Sequence, residues 1–136
     1  MKPKVYIAAR FNERDRLLRE VARPLARAGY EITSSWLSYP KGSSPLGAEE
    51  LAVQPELGTE HAITCMSDVK RADTVVVFTA QPSSTGGLHT EVGMALAWGK
   101  PVYVVGPALN IFHTLPELTH YPDANTFLKA WGCAPA

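Results

Sequence analysis

Short apolar runs alternate along the chain with stretches whose apolar residues recur at helical spacing. Lys4 to Ala8 and Thr74-Val75-Val76-Val77-Phe78 are runs of the kind found in parallel strands buried on both faces. Leu18, Val21, Ala22, Leu25 and Ala28 recur every three or four positions and predict a helix facing the sheet. Asn12 is placed to cap that helix, Pro24 to bend it and Gly29 to end it. Tyr30 to Leu37 alternates as a second strand. Ala62, Met66, Val69 and Ala72 mark the buried stripe of a helix capped by Thr59 and running to about Arg71. After the valine strand, the pair Gly86-Gly87 turns into an apolar helix that carries Glu91 in its first turn and ends at Gly99. Pro101 opens a strand from Val102 to Val105. Asn110 to Leu115 reads as irregular or a single turn, and Leu118 to Tyr121 as a short last strand. Asp123 caps a final helix ending near Trp131.

This alternation of strand and helix implies a parallel sheet covered on both faces. With right-handed crossovers it predicts a flavodoxin-like, Rossmann-like three-layer α/β sandwich. Its sheet should have four to five strands in the order 2-1-3-4-5, in one domain over residues 1–136 without internal repeats. Ligands of such sheets bind at the carboxyl ends of the strands. That edge collects residues 6–11, Trp36, residues 79–87, Glu91 and residues 106–113. The stretch 38–47 is rich in turn formers and predicts a long loop, with a short helix near residues 49–53. Trp36 and Tyr39, at its start, are suited to stacking on a planar ring or to ordinary packing.

Composition narrows the classes. Hydrophobic residues make up 46% of the 136 positions and charged residues 19%, which fits a packed core rather than disorder. The formal net charge is zero, which argues against a nucleic-acid polymer as partner and leaves room for a small anion site. Arg16, Arg19, Arg23 and Arg27 read as a solvated basic face. No apolar run is long enough to span a bilayer, and the first residues lead straight into a strand, so a cytoplasmic setting is expected. Cys65 and Cys133 make neither a disulfide framework nor a zinc site. His61, His113 and His120 lack metal-ligand spacing, so no metal and no cofactor are expected.

Glu91 is the residue with chemistry to offer. A helix N-terminus favours the ionised form of a nearby carboxylate. Held at the carboxyl edge of a sheet, such a group is suited to act as a nucleophile. Acids also occur at helix starts for dipole reasons alone, and that reading stands beside the first. His89 reads as a hydrogen-bonding turn residue. Gly86-Gly87 lacks the third glycine of a dinucleotide fingerprint and follows the third strand rather than the first.

Val5-Tyr6-Ile7-Ala8 with Arg10-Phe11, Ala72-Asp73 before the valine strand, Gly87-x-His89-x-Glu91-x-Gly93-x-Ala95 and Gly99-Lys100-Pro101-Val102 form a pattern over most of the chain. It resembles the nucleoside 2-deoxyribosyltransferases and the related deoxynucleoside 5'-monophosphate N-glycosidases. The resemblance implies that Glu91 attacks the anomeric carbon with support from Tyr6, in a retaining reaction through a deoxyribosyl ester. It implies deoxynucleosides or deoxynucleotides and free nucleobases as partners. It also implies a homo-oligomer, dimer or larger, in which a neighbour's segment within Asn110 to Tyr121 closes the pocket.

Two positions depart from the pattern. Cys65 stands where the family has the aspartate that helps protonate the departing base; either Asp68, one turn on, takes that catalytic role, or the base is protonated differently, or activity is weak, and Asp68 also reads as a solvated helix residue. Thr85 stands where transferases have an aspartate and nucleotide hydrolases a hydroxyl. Ser83-Ser84-Thr85 beside a glycine turn suits a phosphate, with Arg10 adding a charged contact. The expected substrate contacts are Ala8, Arg10, Phe11 and Trp36 from the ends of the first two strands, and Cys65 from the helix before the valine strand. Thr85, Gly86, Gly87 and His89 add contacts from the glycine turn, and Asn110 and Phe112 from beyond the fourth strand. Transfer of the sugar to a second base is the expected outcome. Hydrolysis of a 5'-monophosphate and a non-catalytic nucleotide-binding module are the alternatives.

Overall fold

Strand β1 (Lys4–Ala8) pairs with β2 (Glu31–Ile32) on one side and β3 (Thr74–Phe78) on the other. Strand β3 pairs with β4 (Val102–Val105), and β4 with β5 (Thr119–Tyr121). All four pairings are parallel, so the sheet order is β2-β1-β3-β4-β5, as the alternating pattern predicts. These coordinates come from a computed structural model that describes residues 2–40, 46–82 and 86–134. The helices are α1 (residues 11–27), α2 (Ala48–Val53), α3 (Pro55–Arg71), α4 (Gly87–Ala97) and α5 (Ala124–Ala130). They flank the sheet in a three-layer α/β fold. No described helix is long and apolar enough to cross a membrane.

Strand β3 shows why the sheet forms where it does. All five of its residues are buried. Burying a valine-sized side chain contributes roughly 1.5–3 kcal/mol before conformational entropy is subtracted. Leu17, Val21 and Leu25 of α1 and Leu88, Val92 and Ala95 of α4 are buried in the same core. Phe127 of α5 packs edge-on against Phe78 and Tyr121, which seats the last helix on the sheet.

Local chemistry moves several boundaries from their expected places. Helix α1 starts a residue before Asn12, with Arg10 as its uncapped boundary. Pro24 does not break it; the helix widens into a π turn over Leu18–Ala22, just before the residue that lacks an N–H. Helix α3 begins at Pro55 rather than near Thr59, because proline suits the first helical position, where an N–H would have no partner. Strand β2 is the largest departure, two residues long instead of running to Leu37. Side chains replace its ladder there. The Ile7 N–H donates to Ser34 Oγ at 2.5 Å, and Trp36 Nε1 donates to the Ile7 carbonyl at 2.9 Å. The chain then coils into a short 3-10 turn, Ser35–Ser38. That turn carries Trp36 to the carboxyl end of β1.

Candidate active site

Gly86 has φ of +80° and supplies the left-handed step that starts α4 without strain. The helix begins at Gly87, so Glu91 lies one turn inside rather than in the first turn. It is 9% exposed, and its carboxylate accepts a hydrogen bond from the Tyr6 hydroxyl of β1. Cys65 of α3 reaches both groups with its thiol. Burial pushes the Glu91 carboxyl up to about 7, against the Tyr6 and Cys65 hydrogen bonds that favour its charge; Asp68 raises it further. The direction is opposite to that expected from a helix N-terminus. One turn into the helix, desolvation outweighs the dipole. Burial, with the neighbouring carboxylate, also raises the Tyr6 hydroxyl well above its ordinary value, and the Cys65 thiol to about 11. Tyr6 and Cys65 therefore keep their protons and serve Glu91 as neutral donors.

Glu91 lines a cavity of about 530 Å³ between α3, α4 and the Trp36 turn. Such a volume lies within the usual range of small-molecule sites. One wall is aromatic. Phe11 packs at 6.0 Å from Trp36 and 6.1 Å from Tyr39, and Tyr39 at 4.9 Å from His61. Arg14, buried and absent from the sequence expectations, holds that wall in place. Its guanidinium lies 4.6 Å from the centre of the Phe11 ring and donates to the carbonyls of Tyr39 and Pro40. The far side comes from α3, where Gly58, Ala62, Cys65 and Met66 face the space. At Gly58, a Cβ would run into the Leu51 side chain of α2, so glycine lets the two helices meet there. Ala62 and Met66 therefore line the cavity, and only Val69 and Ala72 of the expected stripe are buried in the core.

The expected site residues divide. Glu91, Phe11, Trp36, Cys65 and Gly87 line one cavity, with Tyr6 bonded to Glu91 behind them. Ala8 is buried in β1, and its neighbour Ala9 takes the place on the cavity wall. Arg10 is half-buried at the start of α1, and its Nε has no partner among the described residues. Thr85, with Ser83 and Ser84, lies outside the described residues. Asp68 is 5% exposed and does not line the cavity. One of its carboxylate oxygens accepts from the Ser35 N–H at 2.9 Å and the other from Arg71 at 3.3 Å. The first contact fastens α3 to the Trp36 turn; the second lies within α3.

His89 and Asn110 form a separate group. Asn110 Nδ2 lies 3.1 Å from His89 Nδ1, and the His89 ring packs 5.7 Å from the fully buried His113. The Leu109 N–H donates to His113 Nδ1 at 2.9 Å, so the proton of the neutral ring sits on Nε2. Burial lowers the His113 pKa and keeps it neutral. This network ties the segment after β4 to the start of α4. Phe112 projects from the same segment, 55% exposed, beside Ile111 at 75%.

A five-stranded parallel α/β sandwich with a buried carboxylate over its carboxyl edge is the class that fold and site define together. The chain matches no protein-family model and no curated protein sequence. Among solved structures it is similar to the Clostridium botulinum CMP N-glycosidase BcmB, with 21% sequence identity and a TM-score of 0.61 over 95% of this chain and 98% of that one. A conserved protein from Enterococcus faecalis V583 aligns at 18% identity and a TM-score of 0.46 over 93% of this chain and 85% of that one. The first likeness shows the shared fold.

Proposed function

We propose that this protein cleaves the N-glycosidic bond of a nucleoside or nucleoside 5'-monophosphate, with Glu91 as nucleophile. The observation that carries this reading is the Glu91 carboxylate, buried against the Tyr6 hydroxyl at the edge of an aromatic-walled cavity. A carboxylate there can attack the anomeric carbon of a sugar whose base stacks on Phe11, Trp36 or Tyr39. The bond to the base breaks, its electron pair leaves with the base, and a glycosyl ester forms on Glu91. Removal of water from around the carboxylate leaves it fewer competing partners once ionised.

The sugar then passes to a second base, for which the aromatic wall offers a stacking surface. The second reading is hydrolysis, with water as acceptor and a nucleotide as substrate; the CMP N-glycosidase activity named for a protein of the same fold favours it. Exposed Ile111 and Phe112 support the homo-oligomer implied by the family pattern. The test is a panel of nucleosides, deoxynucleosides and their monophosphates, with and without added base, read by chromatography. An exchanged nucleoside supports transfer. Free base with sugar phosphate and no exchange product supports hydrolysis. No released base from any member would reject both.

Tyr6→Phe is expected to lower kcat by roughly 10- to 100-fold, the loss of one charge-assisted hydrogen bond. The KM should change less. The rise of activity with pH should also move upward, because the lost donor is one that lowers the Glu91 pKa. Steady-state rates across pH check both; an unchanged profile removes Tyr6 from the site.

A further inference from the structure

A base that departs without a proton leaves as an anion, so cleavage calls for an acid as well as a nucleophile. Among the described residues, four titratable side chains line the cavity: Tyr39, His61, Cys65 and Glu91. Glu91 is taken by the attack. Burial raises the Cys65 thiol to about 11 and also raises the Tyr39 hydroxyl, which makes both poor proton donors. Asp68 does not line the cavity, and its two oxygens are engaged by Ser35 and Arg71. His61 is left. It lies one helical turn before Cys65 on α3, so the two share a helix face. Its ring packs 4.9 Å from Tyr39, which in turn packs against Phe11, so the imidazole belongs to the aromatic wall. It is half-buried, within reach of solvent for proton exchange.

We propose that His61 is the acid that protonates the departing base, a role that rests on the reading of Glu91 as nucleophile. As the bond between the anomeric carbon and the base nitrogen breaks, its electron pair moves into the base. The imidazolium gives its proton to the base, which leaves neutral, while a Glu91 oxygen bonds to the anomeric carbon. In the second half the acceptor, water or a second base, attacks that carbon. The ester electron pair returns to Glu91, and the neutral imidazole takes the proton the acceptor loses. No other reactant is needed.

The decisive measurement compares His61→Gln and His61→Asn with the wild type on two versions of whichever substrate the panel identifies. One carries the ordinary base. The other carries a base that leaves readily without protonation, the 5-fluoro form of a pyrimidine or the 7-methyl form of a purine. On the ordinary base both variants should lose on the order of 10²-fold or more in kcat/KM, which reports the first half alone. On the activated base their kcat/KM should stay within about 3-fold of wild type, since the missing proton is no longer needed there, while kcat falls with the slower second half on both bases. Circular dichroism and melting curves should match wild type, as the side chain is half-buried on a helix surface. Equal losses of kcat/KM on both bases would overturn the assignment and make His61 a residue that merely seats the base. Unchanged rates on the ordinary base would overturn it as well. If the wild type itself releases no base from the panel, the reading of Glu91 fails first and this inference with it.

Discussion

Glu91→Ala should leave a folded protein whose turnover has fallen by on the order of 10⁴-fold or more, the usual scale for loss of a covalent nucleophile. The fold should survive because Glu91 sits at the cavity wall rather than between core side chains. Its charge is opposed, not favoured, by its surroundings. Losing it removes one acceptor from Tyr6, whose hydroxyl lies beside the Cys65 thiol. A slow substrate makes the result specific. A 2-fluorinated arabinosyl nucleoside should leave a mass adduct on the peptide that contains Glu91, and none on the alanine variant. Alanine rates within about tenfold of wild type would assign the attack to another group.

Strand β3 and the Gly99-Lys100-Pro101 exit were legible because their signals are local. A run of five apolar residues or a glycine-proline stop carries its meaning within a few positions. The crossover rule then narrowed the sheet to the doubly wound kind, of which 2-1-3-4-5 is one of the common orders. Strand β2 was not legible at its end. Nothing in Thr33-Ser34-Ser35-Trp36 announces that Ser34 and Trp36 will bond the peptide groups of Ile7 across the sheet. Those partners are distant in sequence, and they turn an expected strand into a 3-10 turn.

The site shows the same division. Glu91 and Tyr6 stood out because glycines and strand ends mark the sheet's carboxyl edge. On α3 the helical period placed Ala62, Met66 and Val69 on one stripe, but period alone does not separate a core-facing side from a cavity-facing one. Leu51 of helix α2 packs against Gly58 on that side, and both line the cavity. His61 was passed over because it was weighed only as a metal ligand. Its place beside Tyr39 depends on the Ser35–Ser38 turn, whose first three residues the alternating pattern assigns to a strand.

Burial of Glu91 should also be visible in stability. A carboxyl raised from the ordinary 4.5 to about 7 binds its proton more tightly in the folded than in the unfolded chain. Its contribution is therefore fully present below pH 4.5, falls as pH rises through about 7, and is absent above that. The loss across that window is roughly 3 kcal/mol. Glutamine is neutral throughout and can still accept from the Tyr6 hydroxyl. Glu91→Gln should thus match wild type near pH 4.5 and exceed it by roughly 3 kcal/mol at pH 8, a rise of several degrees in melting temperature. Urea or thermal unfolding of both proteins at the two pH values gives the difference directly. Titrations common to both proteins cancel in it. The same protonation should set the lower limb of the activity profile, with rates rising through about pH 7 as the nucleophile ionises. Parallel stability curves for the two proteins would mean that Glu91 keeps an ordinary carboxylate pKa. The rise in activity would then have to come from another group on the cavity wall.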